Sequence, residues 1–523
     1  MASNNHSRLG SITPLNVNKD ERGILIELWR NDTHKELNHS SPMMSYVSNT
    51  LPGVVRGPHE HKWQTDYFFF YQGKLELHLW NKDGSVHEIH EVGAENPVMV
   101  KVPPGVIHAY KNVGDTAVDI VNMPDKLYRG FMKREQVDEI RHEADPNTIY
   151  KLDHCPVRVV IVTGAAGFIG YNFCHKAKDA GFEVLATDKE AWNQNARDLK
   201  SQGFHFTAGD ISNPKLWMQE MYRYILSKFK DPEVYLVNFA AETHNDRSFG
   251  SPGEFVRANV EGVVQTFKSF WAEIPWAKKM VHVSTDEVYG PIKTGVSREG
   301  DPLRPTSPYA SSKMAGEIML RSVYESTPGV HPLCITRGAN TYGPRQHPEK
   351  FLPMILTRVL QGKKYPVYQP VTAERSWLSV DDHCDGILAV IERGEDGQVY
   401  NIGRAGTIPN QSFIDNVARL LVARNVLKYN EIIELGVDVG NPRGAHHDVR
   451  YNMSAEKLEK LGWTSKTVIM EGLASTIDWY AKNDQWWRTI VESTEFKKYM
   501  ETMYPTLEVS AQDETPKATE EKG

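Results

Sequence analysis

Between residues 22 and 125, apolar and polar positions alternate in short runs broken by Gly, Pro, Asn and Asp. Tyr67–Tyr71, Lys74–Trp80, Pro97–Val102 and Ala117–Asn122 each read as a strand, and short strands at this spacing predict a barrel or sandwich. A polar, charge-rich stretch, Lys133–Asp153, reads as a boundary. From Val157–Thr163 onward, apolar strands alternate with amphipathic helices to about residue 480, the pattern of a doubly wound α/β sheet. The end, 505–523, is polar with few apolar anchors and is expected to be disordered. The expected layout is an all-β domain over 1–150, an α/β domain over 156–485 and a disordered tail.

Composition narrows the function classes. A chain of 523 residues with 40% hydrophobic and 24% charged residues is an ordinary globular protein with room for two or three domains. A net charge of −7 leaves no electrostatic footprint for nucleic acid or an anionic membrane. Cys155, Cys174, Cys334 and Cys384 form no CxxC pair, which argues against a disulfide framework and for a reducing compartment. No apolar run approaches the roughly 18 residues of a membrane span, and MASNNHSRLG lacks the apolar core of a secretory signal. A soluble, cytoplasmic protein is expected.

Val159–Gly170, VVIVTGAAGFIG, runs from a strand through a glycine turn into a helix. Gly164 permits the tight turn, Gly167 lets backbone approach a pyrophosphate, and Gly170 allows close helix–strand packing. Phe168 and Ile169 open the helix whose free N–H groups would face the phosphates. Phe182–Thr187 reads as a second strand ending at Asp188, about 20 residues on, where a carboxylate binds an adenine ribose. No arginine directly follows Asp188, which favours NAD over NADP, and Asp210 and Ile211 follow the third expected strand, where adenine sits. Tyr309 and Lys313, four apart in SPYASSKMAGE, would share a helix face after the strand Met280–Ser284. There the ammonium is expected to lower the phenol's pKa toward that of a useful base.

GAAGFIG, NFAAETHNDRS, VSTDEVYG, SPYASSK and NTYGPRQHPEKFLP resemble the extended short-chain dehydrogenase/reductases, most closely the nucleoside-diphosphate-glucose 4,6-dehydratases, over roughly residues 157–465. The resemblance implies a Rossmann domain that binds NAD, with Ala240 and Ala241 also at the cofactor, and a smaller C-terminal substrate lobe. It implies that Tyr309 takes the sugar 4-hydroxyl proton, Thr285 hydrogen-bonds the 4-oxygen, Glu287 takes the C5 proton, Asp286 protonates the departing 6-hydroxyl, and Lys313 holds the ribose. Asn340, Lys350, Tyr368, Arg375, Asn410 and Arg443 match family positions for a UDP- or dTDP-hexose, although NPRGAHHDVRY, which contains Arg443 and His447, departs by about one residue from the usual pattern. A 4-epimerase or a decarboxylase with an accessory first domain is the rival enzyme, and a silent nucleotide-sugar sensor is the rival from another class.

The first domain carries Gly53-x5-His59-x-His61-x4-Asp66-x6-Gly73 and Pro103-x-Gly105-x2-His108-x3-Asn112. These match the two cupin motifs with Asp in place of the usual Glu, implying a jelly-roll barrel. Three imidazoles and a carboxylate would suit Mn, Fe, Ni or Zn, while the alternative is acid/base chemistry by His59 and His108 without any metal. VRGPH and VPPGVIHAY resemble the dTDP-4-dehydrorhamnose 3,5-epimerases over about residues 12–153. That resemblance implies His59 as base, His108 beside the developing enolate and Arg56 on the diphosphate. The family's proton-returning tyrosine aligns with Val121, leaving Tyr110 and Tyr128 as candidates. Another nucleotide-sugar isomerase, a metal cupin and a non-catalytic lobe stay open. Metal-free 3,5-epimerisation following dehydration is the favoured pairing, and relatives of both halves imply a homodimer; apolar helices such as Ser311–Tyr324 are either a pairing face or buried within the monomer.

Overall fold

A computed structural model describes residues 7–509 apart from 8, 16, 21–22, 27, 29–41, 115, 128–137, 146–147, 151, 153–156, 230–231, 327–328 and 441–448. The chain divides into two compact units, one of residues 1–158 with 179–181 and 230–232, the other of 159–178, 182–229 and 233 onward.

The first unit is built on two five-stranded antiparallel sheets. One runs, in spatial order, Ser11–Pro14, Val98–Val102, Asp66–Phe70, Val118–Asn122 and Tyr46–Thr50; the other runs Glu139–Arg141, Val55–His61, Ile107–Asn112, Lys74–Trp80 and His87–Gly93. Alternation explains the packing. Leu75, Leu77 and Leu79 from one sheet meet Phe68, Phe70, Val98 and Val100 from the other in a single core, as two inner sheet faces do. The polar stretch expected as a boundary is instead partly structural. Glu139, Ile140 and Arg141 pair with His61, Glu60 and His59, and Tyr150 is buried against Trp80. Backbone pairing, which needs no apolar side chain, holds this edge strand.

The second unit contains a seven-stranded parallel sheet in the order His205–Ala208, Phe182–Asp188, Arg158–Thr163, Glu233–Asn238, Lys279–Thr285, Leu333–Gly338 and Val399–Ile402. Its central strands are nearly continuous apolar runs, as strands covered on both faces must be. The order reverses beside Arg158–Thr163, the switch point where such sheets bind ligands. The helices Phe351–Val359, Asn410–Val422 and Ile469–Lys482 close a separate core around Leu356, Phe413, Leu473 and Trp487, which is the smaller C-terminal lobe. The tail does not begin at 505. Pro505–Val509 is helical and Leu507 is buried with Phe496, Tyr499 and Tyr504, so one apolar anchor suffices to dock it; 510–523 lie outside the described residues. Among the described residues, no helix is long and apolar enough to cross a membrane.

Candidate functional site

The glycine turn after Arg158–Thr163 is shaped by close approach. Gly164 has φ +67°, and a Cβ there would lie 2.6 Å from the Ala240 nitrogen; one at Gly170 would lie 2.2 Å from the Gly164 oxygen. Gly167, by contrast, is exposed, and a Cβ there would touch only the Gly164 oxygen. This leaves bare backbone at the N-terminus of the helix Phe168–Asp179, to which Ile169 also belongs, where a pyrophosphate meets N–H groups and the helix dipole. Asp188 ends its strand and accepts hydrogen bonds from the backbone of Ala166 and Glu190 at 2.9 Å, which fixes its carboxylate over the turn. Burial raises its pKa. Asp210 accepts from the Ser212 N–H at 2.8 Å, Ile211 is buried, and Ala240 and Ala241 follow the strand Glu233–Asn238. The residues fit a dinucleotide. Lys189, next to Asp188, is ion-paired with Glu242.

Thr285 ends the strand Lys279–Thr285 and caps the following turn, accepting from the Glu287 N–H at 3.3 Å while its hydroxyl lies 3.2 Å from Asp286 Oδ1. Asp286 is buried with Oδ2 unpartnered, and its carboxyl is pushed up to about 7, by burial first and then by the Glu287 charge, against the pull of Arg375 and the Thr285 hydrogen bond. Glu287 Oε2 accepts from Asn245 Nδ2 at 2.7 Å. Tyr309, buried on the helix Pro308–Ser326, has its phenol raised by burial and the charges of Glu287 and Asp286, with the Thr285 hydroxyl pulling it down. Lys313 departs from expectation. Its ammonium donates to the Val283 carbonyl at 2.7 Å instead of tuning the phenol, and burial lowers its own pKa to about 8.

Of the described residues expected to bind substrate, only Arg375 acts on this centre directly. Lys350 donates to the Thr243 carbonyl at 2.9 Å, Tyr368 donates to Asp246 at 3.3 Å, Arg375 faces Asp286 electrostatically, and the Asn410 N–H bonds the Ala373 carbonyl at 2.9 Å. Asn340 Oδ1 is buried without a partner. Arg443 and His447 lie outside the described residues, as do Cys155 and Tyr128. Asn245 was missed by the motif reading, although it lies within the quoted NFAAETHNDRS.

In the first unit, His59, His61 and His108 bring ligand atoms within 4.8 Å of one another, a cluster able to hold a metal. Asp66 anchors it. Its Oδ2 lies 3.2 Å from His61 Nε2 and 3.5 Å from His108 Nε2, and its Oδ1 accepts from Gln64 and Asn122 at 2.9 Å. Burial opposes ionisation of this carboxyl, but the His61 hydrogen bond and the His108 charge bring it to about 2. His59 is held well below its usual pKa by burial, His108 and His61; burial also lowers His108, whereas the Asp66 contact raises His61 despite burial. Glu139, unmarked by any motif, lies 3.9 Å from His59 Nδ1. Arg56 donates to the Asn49 carbonyl at 2.7 Å. Tyr110 is buried, 2.7 Å from Ser48 Oγ, and Asn122 donates to the Tyr46 hydroxyl at 2.7 Å.

Comparison with known proteins assigns the second unit. Residues 160–403 match the NAD dependent epimerase/dehydratase family, and residues 18–131 match a model described as a polysaccharide biosynthesis C-terminal domain rather than a cupin or an epimerase. The chain is 34% identical over 347 residues to the dTDP-glucose 4,6-dehydratase of Xanthomonas campestris pv. campestris, covering 64% of this chain and 96% of that one. It is 35% identical over 333 residues to the low-salt glycan biosynthesis protein Agl12 of Haloferax volcanii, covering 62% and 99%. The crystal structure of the dTDP-glucose 4,6-dehydratase DesIV from Streptomyces venezuelae with NAD bound is 32% identical with a TM-score of 0.55, covering 63% of this chain and 99% of that one. On this likeness the chain belongs to the NAD-dependent epimerase/dehydratase family, and its cofactor is NAD.

Proposed function

We propose that the chain is a bifunctional nucleotide-sugar enzyme whose second unit dehydrates dTDP-glucose, or UDP-glucose, to the 4-keto-6-deoxy sugar. The observation that carries this reading is the buried Asp286 carboxyl, pushed up to about 7 beside Glu287, because 4,6-elimination needs an acid and a base side by side. Tyr309 takes the 4-hydroxyl proton. NAD, held at the glycine turn and by Asp188, would supply the hydride chemistry that oxidises C4 and later reduces C6. Once C4 is a ketone, Glu287 removes the acidified C5 proton and Asp286 protonates the C6 oxygen, so that water leaves. Glu287 returns its proton to C5 as C6 is reduced, the proton that Tyr309 took from the 4-hydroxyl replaces the one Asp286 gave to water, and Lys313 and Asp188 hold the ribose hydroxyls. Arg375, Lys350, Asn340, Tyr368, Asn410 and Arg443 bind the nucleotide diphosphate, arginine suiting phosphate oxygens through its planar fork. Proton NMR of the product formed in D₂O from each sugar nucleotide tests this. A C6 methyl is expected, and its absence with both would overturn the dehydratase assignment.

The first unit is proposed to be a cupin that epimerises this product at C3 and C5. His59, held neutral, is the base for protons alpha to the ketone; His108 lies beside the developing enolate; Arg56 grips the diphosphate. Burial keeps the Tyr110 phenol protonated, which suits proton return. His59→Ala should abolish deuterium entry at C3 and C5 beyond the dehydratase's own C5 exchange, with methyl formation intact. A second reading is favoured by the three-imidazole cluster, namely a metal held by His59, His61 and His108. His61 separates them, since proton transfer by His59 does not require it. Stoichiometric Zn, Mn, Fe or Ni in the purified chain, lost in His61→Ala together with C3 labelling, would establish the metal. A cytoplasmic homodimer is proposed with exposed Ile318 and Met319 on the Pro308–Ser326 helix as its pairing face, testable by light scattering.

A further inference from the structure

We propose that Asn245 is the positioning residue that decides which carboxyl of the pair is the base, holding the Glu287 carboxylate so that Glu287 takes the C5 proton and Asp286 gives one up. The proposal rests on the dehydratase reading. Asn245 Nδ2 donates to Glu287 Oε2 at 2.7 Å, and the side chain is 8% exposed. A carboxylate can only accept, so the amide must turn its nitrogen toward Glu287. Its Oδ1 is left buried without a partner. Such an orphan is tolerated where the other half of the amide makes a charge-assisted bond, which is shorter and stronger than a neutral one.

The choice of an amide has a physical reason. A lysine or arginine here would stabilise Glu287 equally well, but its net charge would also ionise Asp286. A neutral donor favours the ionised form of the one carboxyl it touches and leaves that carboxyl's negative charge in place to keep Asp286 protonated. Among the described residues Asp286 has no comparable amide donor; it is met by the Thr285 hydroxyl at 3.2 Å and by its own backbone N–H. Tyr309 and Asp286 add negative character on ionising, Arg375 acts on Asp286, and Lys313 is turned to the Val283 carbonyl. Asp246 and Arg247, on the same short helix, face Tyr368 and Glu349. Those contacts, with His244 Nε2 3.4 Å from Glu349, pin the helix so that the amide is set before substrate arrives.

The test is the pH profile of dehydration in Asn245→Val and Asn245→Asp, with single-turnover C4 oxidation, read as reduced nicotinamide, as the step that does not use Glu287. In Asn245→Val the acidic limb of kcat should move up by about one unit, with kcat on that limb falling about tenfold, while the basic limb does not move down. KM and C4 oxidation should stay within about twofold of the parent. Asn245→Asp, matched in shape, puts a like charge on Glu287 and should move the acidic limb further. Asn245→Gln, which retains an amide, should restore part of the rate. An acidic limb unmoved in Asn245→Asp, or C4 oxidation and C5 exchange falling in parallel, would overturn the proposal, and if Asn245→Val does not fold the Asp and Gln variants decide it. A parent enzyme that forms no C6 methyl would instead sink the dehydratase reading itself.

Discussion

Asp286→Asn tests the acid assignment through stability as well as turnover. The carboxyl is buried and raised from 3.8 to about 7, chiefly by burial and then by the Glu287 charge. Its folded-state pKa lies above its unfolded value, so between those values the folded chain holds a proton that the unfolded chain has shed. The stability of the second unit is therefore greatest, as far as this group is concerned, below about pH 4, declines as pH rises and levels off above about pH 7. A gap of about three units corresponds to about 4 kcal/mol at 1.36 kcal/mol per unit. Asparagine has the shape of the neutral acid and does not titrate. The variant should match the parent near pH 4, exceed it by about 2 kcal/mol near pH 5.5 and by about 4 kcal/mol at pH 8, while losing dehydration and retaining C4 oxidation. Urea unfolding followed by tryptophan fluorescence across this range reads the difference. A gain independent of pH, or a variant less stable than the parent at pH 8, would mean that folding does not raise the Asp286 pKa, so that it is ionised at neutral pH and cannot be the acid.

Two further substitutions probe the scaffold of the second unit. Glu317→Ala strands Arg337, whose guanidinium lies 2.6 Å from the carboxylate with both side chains nearly inaccessible (2% and 1% exposed); a loss of about 3–5 kcal/mol is expected in thermal unfolding, and replacing both residues by apolar ones should recover much of it. Gly164→Ala places a methyl 2.6 Å from the Ala240 nitrogen at a positive φ, so NAD affinity measured by calorimetry should fall at least about tenfold while the C3 exchange proposed for the first unit is unaffected on added 4-keto sugar.

Regular elements were legible because their side chains carry the period. Lys74–Trp80 is a strand over the expected residues, and Val157–Thr163 and Met280–Ser284 differ from the observed strands by one residue at one or both ends. The strand Glu139–Arg141 was not legible, because its place is set by backbone pairing with His59–His61 and its side chains are polar. Glu139 was therefore invisible as a neighbour of His59. The spacing of Tyr309 and Lys313 correctly put them on one helix, but a shared face does not say which acceptor the ammonium meets, and the Val283 carbonyl wins. Motif matching located Thr285, Asp286 and Glu287, yet the difference between the two carboxyls depends on burial, on Arg375 and on Asn245, which come from segments far apart in the chain.

The two units resolve one physical problem in opposite ways. In the second, burial and the Glu287 charge push the Asp286 carboxyl up to about 7, so that part of it carries a proton at neutral pH, as the donor role proposed for it requires. In the first, burial and two neighbouring imidazoles keep His59 unprotonated, which makes it an acceptor. The chemistry asks for this order. Elimination needs an acid to release water, and its product is a ketone whose alpha protons are removable by a base of near-neutral strength, provided that base is free of its own proton. Asp66 then becomes the informative residue. Held ionised by Gln64, Asn122, His61 and His108, it stabilises positive charge on its neighbours, either an imidazolium formed as His59 or His108 takes up a proton, or a cation bound by the three rings. Asp66→Asn removes the charge and keeps the shape. Under proton transfer it should weaken His59 as a base, lowering C3 exchange at neutral pH while the acidic limb moves to lower pH and metal content stays unchanged; under the metal reading, metal and exchange should be lost together.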